Sequence, residues 1–172
     1  GLVPGVGGPA KPAAAAAAVA PGKQGLLLKG CRTMIIESPL QLIFRDLFYR
    51  LPAFAGRHDV FLKLEGFNIT GSIKVKTAIG LVENLEQQGL ARPNETVLVE
   101  SSSGNLGLAL SLVCAVKGYK FICVTDPNAN RATIKGMELY GARVIVVNKR
   151  DAVGGFLGSR LETIDQILQS EP

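Results

Sequence analysis

The chain has little of several residue types on which common catalytic chemistries depend. Its 172 residues include no tryptophan and one histidine, His58, which has no matching acid and nucleophile pattern around it. No group of histidine, cysteine and aspartate residues has the spacing of metal ligands. Three cysteines, Cys31, Cys114 and Cys123, cannot all pair with one another and show no CxxC spacing. These scarcities argue against a zinc site and a disulfide framework, and they favour free thiols in a reducing compartment such as the cytoplasm.

Long apolar runs and a strong excess of one charge are also missing. No stretch of about 20 residues in the body of the chain, the length that a membrane-spanning helix needs, lacks charged and polar groups. The formal net charge is +5, and two of the positive charges lie in the first 24 residues. The charge of the body can attract small anionic ligands but is weak support for nucleic-acid binding. We therefore expect small-molecule substrates, with no nucleic acid and no membrane as a partner.

The first 24 residues differ in composition from the rest of the chain. Seventeen of them are glycine, alanine or proline, and the prolines stand on both sides of a run of six alanines. Proline breaks helices, so the run of alanines cannot form one of useful length. The segment also lacks the pattern of a transit peptide or of a secretory signal. We predict a flexible tail over residues 1–24 and leave it out of the fold prediction.

Beyond residue 35, short apolar runs alternate with helical patterns. A segment rich in Leu, Phe and Tyr up to Leu51 predicts a turn or two of helix. After it we predict four strand-helix pairs, with strands over 60–65, 96–100, 120–125 and 143–147 and helices over 72–88, 105–116, 131–140 and 156–168. This order predicts an α/β fold, a parallel sheet with helices on both faces. Ligands of such sheets lie beyond the carboxyl ends of the strands, here the loops 66–74, 101–107, 126–131 and 148–155.

A lysine stands at the start of the first predicted helix. The segment Glu65–Lys74 reads EGFNITGSIK, so a strand ends, a loop turns, and Lys74 falls in the first turn of the helix. The positive end of the helix dipole favours the neutral amine there, which is the form that attacks carbonyl groups. The alternative is a solvated surface lysine.

A second polar loop follows the next strand. The segment Ser101–Gly107 reads SSSGNLG, and its hydroxyls together with the free N–H groups of the following helix form a cradle for a carboxylate or a phosphate. An ordinary helix cap is the simpler alternative. A third interpretation is a dinucleotide site, because Gly104 and Gly107 match two glycines of GxGxxG and Asp126 lies near the distance of a ribose-binding acid. Ser102 replaces the first glycine, which weakens that match.

Together the two segments resemble a known family. The pattern ExxNxxGSxK over Glu65–Lys74, followed by SSSGNLG, is similar to the fold-type II pyridoxal-phosphate (PLP) enzymes and most of all to the cysteine synthase family. TDPN at 125–128 and DAVGGFLGSRL at 151–161 resemble its branch that makes diaminopropionate precursors for siderophores. The resemblance covers about residues 34–170.

The resemblance implies a role for each matching residue. Lys74 matches the lysine that binds the cofactor as an imine and later moves the α-proton, and Asn105 matches the residue that hydrogen-bonds the cofactor's phenolic oxygen. Four further residues match the loop that closes on the substrate carboxylate: Ser102, Ser103, Gly104 and Leu106. The implied cofactor is pyridoxal 5'-phosphate, and no metal is implied.

The implied reaction is β-replacement on an amino acid such as O-phosphoserine or O-acetylserine. The incoming nucleophile is sulfide in cysteine synthases and the amine of glutamate in the siderophore branch. Val75-Lys76 stands where Asp-Arg is usual, and Leu106 stands where Thr is usual. Both differences favour the amine.

The family folds as two domains, whereas this sequence stops at Pro172. We therefore expect residues 34–172 to be the N-terminal α/β portion of such an enzyme, with the C-terminal half absent. The resemblance implies a homodimer for the full-length enzyme. We expect this portion alone to bind the cofactor weakly, if at all, and to turn over no substrate. Two alternatives remain open: a non-catalytic ligand-binding or interaction domain of the same fold, and a nucleotide-binding domain.

Overall fold

The fold is built on a sheet that contains three parallel strands. The computed structural model describes residues 3–5, 35–55 and 58–170. In its larger sheet, β4 (Val97–Ser101), β5 (Lys120–Thr125) and β6 (Arg143–Val146) lie side by side and parallel. Their β-branched and apolar runs suit strands that are covered on both faces. A short strand β1 (Val3–Gly5) pairs antiparallel with the free edge of β4.

Four helices accompany the strands. Helices α1 (Lys74–Gln87), α2 (Asn105–Lys117), α3 (Arg131–Leu139) and α4 (Leu157–Ser170) agree with the predicted helices to within a few residues. Gly118 ends α2 with a φ of 80°, a left-handed conformation that glycine adopts without a side-chain clash. A local signal in the sequence therefore sets the end of this helix.

Apolar side chains form a separate core on each face of the sheet. The larger core joins the strands to α1, α2 and α3 through fully buried residues that include Val75, Val82, Leu98, Leu110, Val113 and Met137. The smaller core joins the other face to α4 through Val99, Ile122, Val124 and Ile164. The prediction of a parallel sheet with helices on both faces is confirmed.

The first predicted strand-helix pair is wrong in its placement. The segment predicted as a helical turn is instead part of β2 (Phe48–Ala55), which forms a separate antiparallel hairpin with β3 (His58–Lys63). Aromatic and β-branched residues favour an extended strand here, and an ion pair between Arg50 and Asp59 joins the two strands. The strand predicted over 60–65 therefore belongs to this hairpin, and three strand-helix pairs, not four, use the parallel sheet.

The described residues also bear on the tail and on membranes. Residues 6–24 of the predicted flexible tail lie outside the described residues, and Val3–Gly5 form the strand β1 that the sequence did not predict. Within the described ranges, none of the helices is long and apolar enough to cross a bilayer.

Candidate active site

The loop between β4 and α2 is held by one of its own serines. Ser102 is buried, and its Oγ accepts hydrogen bonds from the N–H groups of Gly107 at 2.9 Å and Gly104 at 3.4 Å. Its backbone N–H donates to the carbonyl of Val124 on β5 at 3.0 Å. The oxygen of this predicted substrate-binding residue is therefore already used as an acceptor inside the protein. Its hydroxyl proton is the part that can still serve an anion.

The amino end of α2 remains open to a ligand. Its cap position, Gly104, offers no side-chain hydrogen bond, and the first N–H groups of a helix have no partner inside the helix. Within the described residues, the backbone N–H groups of Asn105 and Leu106 make no hydrogen bond. Ser103 and Asn105 are exposed, whereas Leu106 packs against the larger core. The predicted anion cradle thus consists of backbone N–H groups bordered by two solvent-facing polar side chains.

Lys74 is the first residue of α1 and is exposed. Its backbone N–H donates to Ser72 Oγ at 3.2 Å, so Ser72 supports the start of the helix as the sequence predicts. Among the described residues, the Lys74 amine has no hydrogen bond and no ion pair. The starts of α1 and α2 rest on one core, because Val75 belongs to the larger core and Leu106 packs against it.

A ring of polar contacts lies beside Lys74. The amine of Lys76 donates to the carbonyl of Phe44 and to Glu65 Oε1, both at 2.9 Å. The side-chain amide of Asn68 donates to Glu65 Oε2 at 2.7 Å, and Asn68 Oδ1 accepts from the Phe44 N–H at 3.0 Å. The four residues thereby link the segment before β2, the loop after β3 and the first turn of α1. We call Phe44, Glu65, Asn68 and Lys76 the Glu65 ring.

The charges within the Glu65 ring favour an ionised carboxylate. The hydrogen bond from Lys76 is the main cause that lowers the pKa of Glu65 below its ordinary value of 4.5. Partial burial acts in the opposite direction, and hydrogen bonds from Asn68 and Lys63 add to the lowering. The sequence analysis missed this ring. Its only local signal is the spacing of Glu65, Asn68 and Lys76, and nothing local indicates Phe44.

The residues that follow Lys74 have structural roles. Val75 has no exposed surface and belongs to the larger core, and Lys76 is held in the Glu65 ring. The sequence analysis used both as signs of an amine nucleophile. Their contacts give that interpretation no support, because packing and charge pairing explain both residues.

Asp126 is not available to a ribose. Its Oδ2 lies 3.2 Å from Arg160 Nη1, and its Oδ1 accepts from the N–H of Asn128 at 2.9 Å. Both side chains of the ion pair are largely buried. Gly107 faces the sulfur atoms of Cys123 and Met137, and such close packing is also the role of the last glycine in GxGxxG, so it does not decide between the interpretations. The dinucleotide interpretation is wrong because it required Asp126 as a free acid.

The loop before α4 is organised by Asp151. Its carboxylate accepts hydrogen bonds from the N–H groups of Gly155 at 2.8 Å, Gly158 at 3.0 Å and Val153 at 3.2 Å. These bonds lower the pKa of Asp151, with that from Gly158 the largest cause. The loop predicted over 148–155 thus contains a turn built around one carboxylate.

Two of the three cysteines fall within the described residues. Cys114 and Cys123 are buried and free, as predicted, and burial raises the pKa of each thiol to about 12. Neither thiol is suited to act as a nucleophile. Cys31 lies outside the described residues.

These features together define a class of site. A lysine amine that has no partner among the described residues and a helix terminus able to bind an anion stand on one core of an open α/β fold. Thr70 Oγ1, four residues before Lys74, and Ser101 Oγ are buried and lack a hydrogen-bond partner within the described residues. These groups suit small ligands that carry an aldehyde and an acid group. PLP together with its amino-acid substrate provides both groups.

The family follows from comparison with known proteins. The model of the pyridoxal-phosphate dependent enzymes matches residues 40–171. The chain therefore belongs to this family, whose members use pyridoxal phosphate.

Relatives of known structure have the same fold. The crystal structure of O-ureido-L-serine synthase is 32% identical, with a TM-score of 0.67 over 79% of this chain and 42% of its own. A hydrogen sulfide-producing enzyme from Fusobacterium nucleatum is 28% identical, with a TM-score of 0.72 over 81% of this chain and 44% of its own. The fold is that of the fold-type II PLP-dependent synthases.

A curated relative is more similar in sequence. N-(2-amino-2-carboxyethyl)-L-glutamate synthase from Ralstonia nicotianae is 42% identical over 114 residues, which make up 66% of this chain and 33% of that protein. The chain thus spans about a third of the length of this relative and less than half of each solved structure.

Proposed function

We propose that this chain supplies the lysine and the carboxylate-binding loop of a PLP-dependent β-replacement enzyme. The observation that carries the proposal is the contrast between the two lysines at the start of α1. Lys76 is held by Glu65 and Phe44, whereas the amine of Lys74 is exposed and has no partner among the described residues. A covalent bond to a cofactor aldehyde requires such an amine.

Each proposed site residue has a task that its position allows. PLP, when bound, supplies a ring that accepts electrons from the α-carbon of the substrate. Lys74 binds the cofactor and moves the α-proton, and Asn105 donates to the cofactor from the start of α2. The N–H groups from Gly104 to Leu106, the hydroxyl of Ser103 and the hydroxyl proton of Ser102 orient the substrate carboxylate at the positive end of α2.

The substrates are proposed from the relatives. The name of the Ralstonia relative points to the amine of glutamate as the nucleophile, and we propose the same here. Sulfide is the alternative, because the sequence also resembles the cysteine synthases, in which sulfide is the nucleophile. O-phosphoserine or O-acetylserine provides the carbon skeleton with a leaving group at Cβ. The product then serves amino-acid or siderophore-precursor synthesis in the cytoplasm.

The proposed domain organisation follows from the length of the relatives. We propose that residues 34–172 form the N-terminal portion of a two-domain enzyme that acts as a homodimer. The groups that hold the cofactor phosphate and face the pyridine nitrogen then belong to polypeptide beyond this sequence. Coverage of only 33% to 44% of the relatives supports this arrangement.

Absorbance with added PLP tests the proposal. The purified chain is mixed with PLP, and the visible band of a lysine adduct is compared among wild type, Lys74→Ala and Lys135→Ala. Lys135 is a suitable control because it is also an exposed lysine on a helix. We expect the band in wild type and Lys135→Ala, its loss in Lys74→Ala, and a shift when O-phosphoserine is added. A band of equal strength in Lys74→Ala would exclude Lys74 as the binding residue.

A further inference from the structure

Two lysines stand two positions apart at the start of α1 and point to different sides. A helix turns by about 100° per residue, so the side chains of Lys74 and Lys76 leave it about 200° apart. Between them, Val75 is fixed in the core. The rotation of this turn therefore decides which amine faces the open side of the site, and both amines could react with an aldehyde if both were free.

The structure shows what holds Lys76. Its side chain is 25% exposed, and its amine has a carboxylate and a carbonyl as acceptors, each within 2.9 Å. An ammonium has no lone pair for attack on a carbonyl carbon, so attack by Lys76 requires that these two contacts be broken first. The Lys74 amine has no such restraint within the described part of the chain.

Glu65 is itself held in place. Asn68 donates to the Glu65 carboxylate and also to the Glu65 backbone carbonyl, at 2.7 and 2.9 Å. Asn68 is buried and accepts a hydrogen bond from the Phe44 N–H. Because the Phe44 carbonyl accepts from Lys76, the contacts form a closed ring. Asn68 therefore holds the Glu65 carboxylate in place if the Lys76 side chain moves away. The ring restrains both the amine of Lys76 and the rotation of the first turn.

We propose that Glu65 is a positioning residue that makes Lys74, and not Lys76, the amine that reacts with the aldehyde of the cofactor. It does so by holding the Lys76 side chain against the Glu65 carboxylate and the Phe44 carbonyl and by fixing the turn that presents Lys74. The inference rests on the proposed function, because it concerns which of two neighbouring amines binds the cofactor. It adds that Glu65, Asn68 and the Phe44 backbone together determine which lysine reacts.

Trapping of the adduct distinguishes the two lysines. PLP is added to the chain, and sodium borohydride then reduces the adducts: the amine lone pair forms a bond to the aldehyde carbon, water leaves, and hydride from borohydride saturates the C=N bond. Mass spectrometry of peptides gives the ratio of adduct at Lys74 to adduct at Lys76. The measurement does not depend on enzyme turnover, and a purely structural role of Glu65 would not change the ratio.

The matched variants are Glu65→Gln and Glu86→Gln. Both remove a partly buried carboxylate that pairs with a lysine, and both leave every lysine in the chain. The ion pair of Glu86 with Lys117 lies 2.7 Å apart near the other end of the helix. Circular dichroism and the thermal midpoint confirm that each variant folds.

We expect Lys74 to dominate in the wild type and in Glu86→Gln. In Glu65→Gln the ratio of Lys74 to Lys76 adduct should fall by about tenfold, the change expected from loss of one charge-assisted hydrogen bond. An unchanged ratio, or an equal fall in Glu86→Gln, would overturn the inference and leave the proposed function standing. More adduct at Lys76 than at Lys74 in the wild type would overturn the proposed function itself.

A second pair of variants covers the case in which Glu65→Gln does not fold. Lys76→Arg keeps a cation for Glu65 and Phe44 but cannot form the adduct, whereas Lys76→Met removes the contact. We expect trapping at Lys74 at the wild-type rate in Lys76→Arg and a several-fold slower rate in Lys76→Met. Equal rates in both variants would show that the ring does not position Lys74.

Discussion

The guanidinium of Arg160 lies 3.2 Å from the carboxylate of Asp126, and this pair joins α4 to the carboxyl end of β5. The side chains are 14% and 7% exposed, so the pair is held away from most of the solvent. In the sequence the two residues lie in separate motifs, and Asp126 was considered only as the ribose-binding acid of the dinucleotide alternative. Their pairing shows that the acid positions a helix.

Removal of Arg160 should destabilise the fold strongly. Arg160→Met leaves the Asp126 carboxylate buried without its partner, which costs about 3–5 kcal/mol. Urea denaturation measures the loss. Lys149→Met, which breaks the exposed pair between Lys149 and Glu162 at 3.7 Å, should change stability by less than about 1 kcal/mol. Equal losses in the two variants would show that the Asp126 pair has no special role.

Addition of a methyl group at Gly107 should disturb the packing of α2 against β5 and α3. A Cβ at this position would lie 2.9 Å from Cys123 Sγ and 3.0 Å from Met137 Sδ. Overpacking of this kind costs about 1–3 kcal/mol, and we expect Gly107→Ala to lower the free energy of unfolding by that amount. Gly80→Ala on α1 is the control, because nothing lies within 4 Å of its added Cβ. It should instead stabilise the helix by up to about 1 kcal/mol, and a similar loss in both variants would contradict the packing argument.

Replacement of Asn68 should be costly although the residue is small. Its buried side chain accepts from Phe44 and donates to both the backbone and the carboxylate of Glu65. Asn68→Ala leaves these groups without partners, and a loss of about 1–3 kcal/mol in urea denaturation is expected. Asn84→Ala removes an exposed asparagine from the surface of α1 and serves as the control. Its stability should match or slightly exceed that of wild type.

Asp151 should make stability depend on pH in the acid range. Backbone hydrogen bonds, first that from Gly158, lower the pKa of Asp151 from its ordinary value of 3.8, and Arg150 adds to the lowering. The ionised carboxylate therefore stabilises the folded state fully above the ordinary pKa, and this contribution is lost as the pH falls through the lowered pKa.

The thermal midpoints of wild type and Asp151→Asn, measured between about pH 6 and pH 2, test this linkage. The advantage of wild type should shrink toward the acid end. The comparison cancels the parallel effect of Glu65, which both proteins retain. A constant difference across this range would show that Asp151 does not act through its charge.

Local patterns predicted most elements of the parallel sheet because the relevant information is local. Apolar runs such as FICVT identify buried strands, and Gly118 follows the helix predicted over 105–116 and ends α2. The segment before Leu51 was misassigned, because a short run of Leu, Phe and Tyr has no clear period and fits helix and strand alike. The partner of β3 was also not predictable, since strand pairing depends on contacts with distant residues.

For the candidate site as well, the sequence predicted what depends on local patterns and not what depends on contacts between distant residues. The motifs locate Lys74, Ser103 and Asn105 on loops and helix starts, and the structure places them there with exposed side chains. The internal use of the Ser102 oxygen and the ring around Glu65 depend on how segments meet in space. Lys76 illustrates the difference, because its sequence position suggests a specificity residue and its contacts show a charge pair.

The unequal cores on the two faces of the sheet have a consequence for hydrogen exchange. Helix α2 has seven buried residues, whereas α4 has two and contributes only Ile164 to the buried residues of the smaller core. Local opening requires less free energy where fewer apolar side chains must be exposed to water. The amide protons of α4 should therefore exchange through partial opening with the rest of the sheet intact, while those of α2 exchange only when the whole domain unfolds.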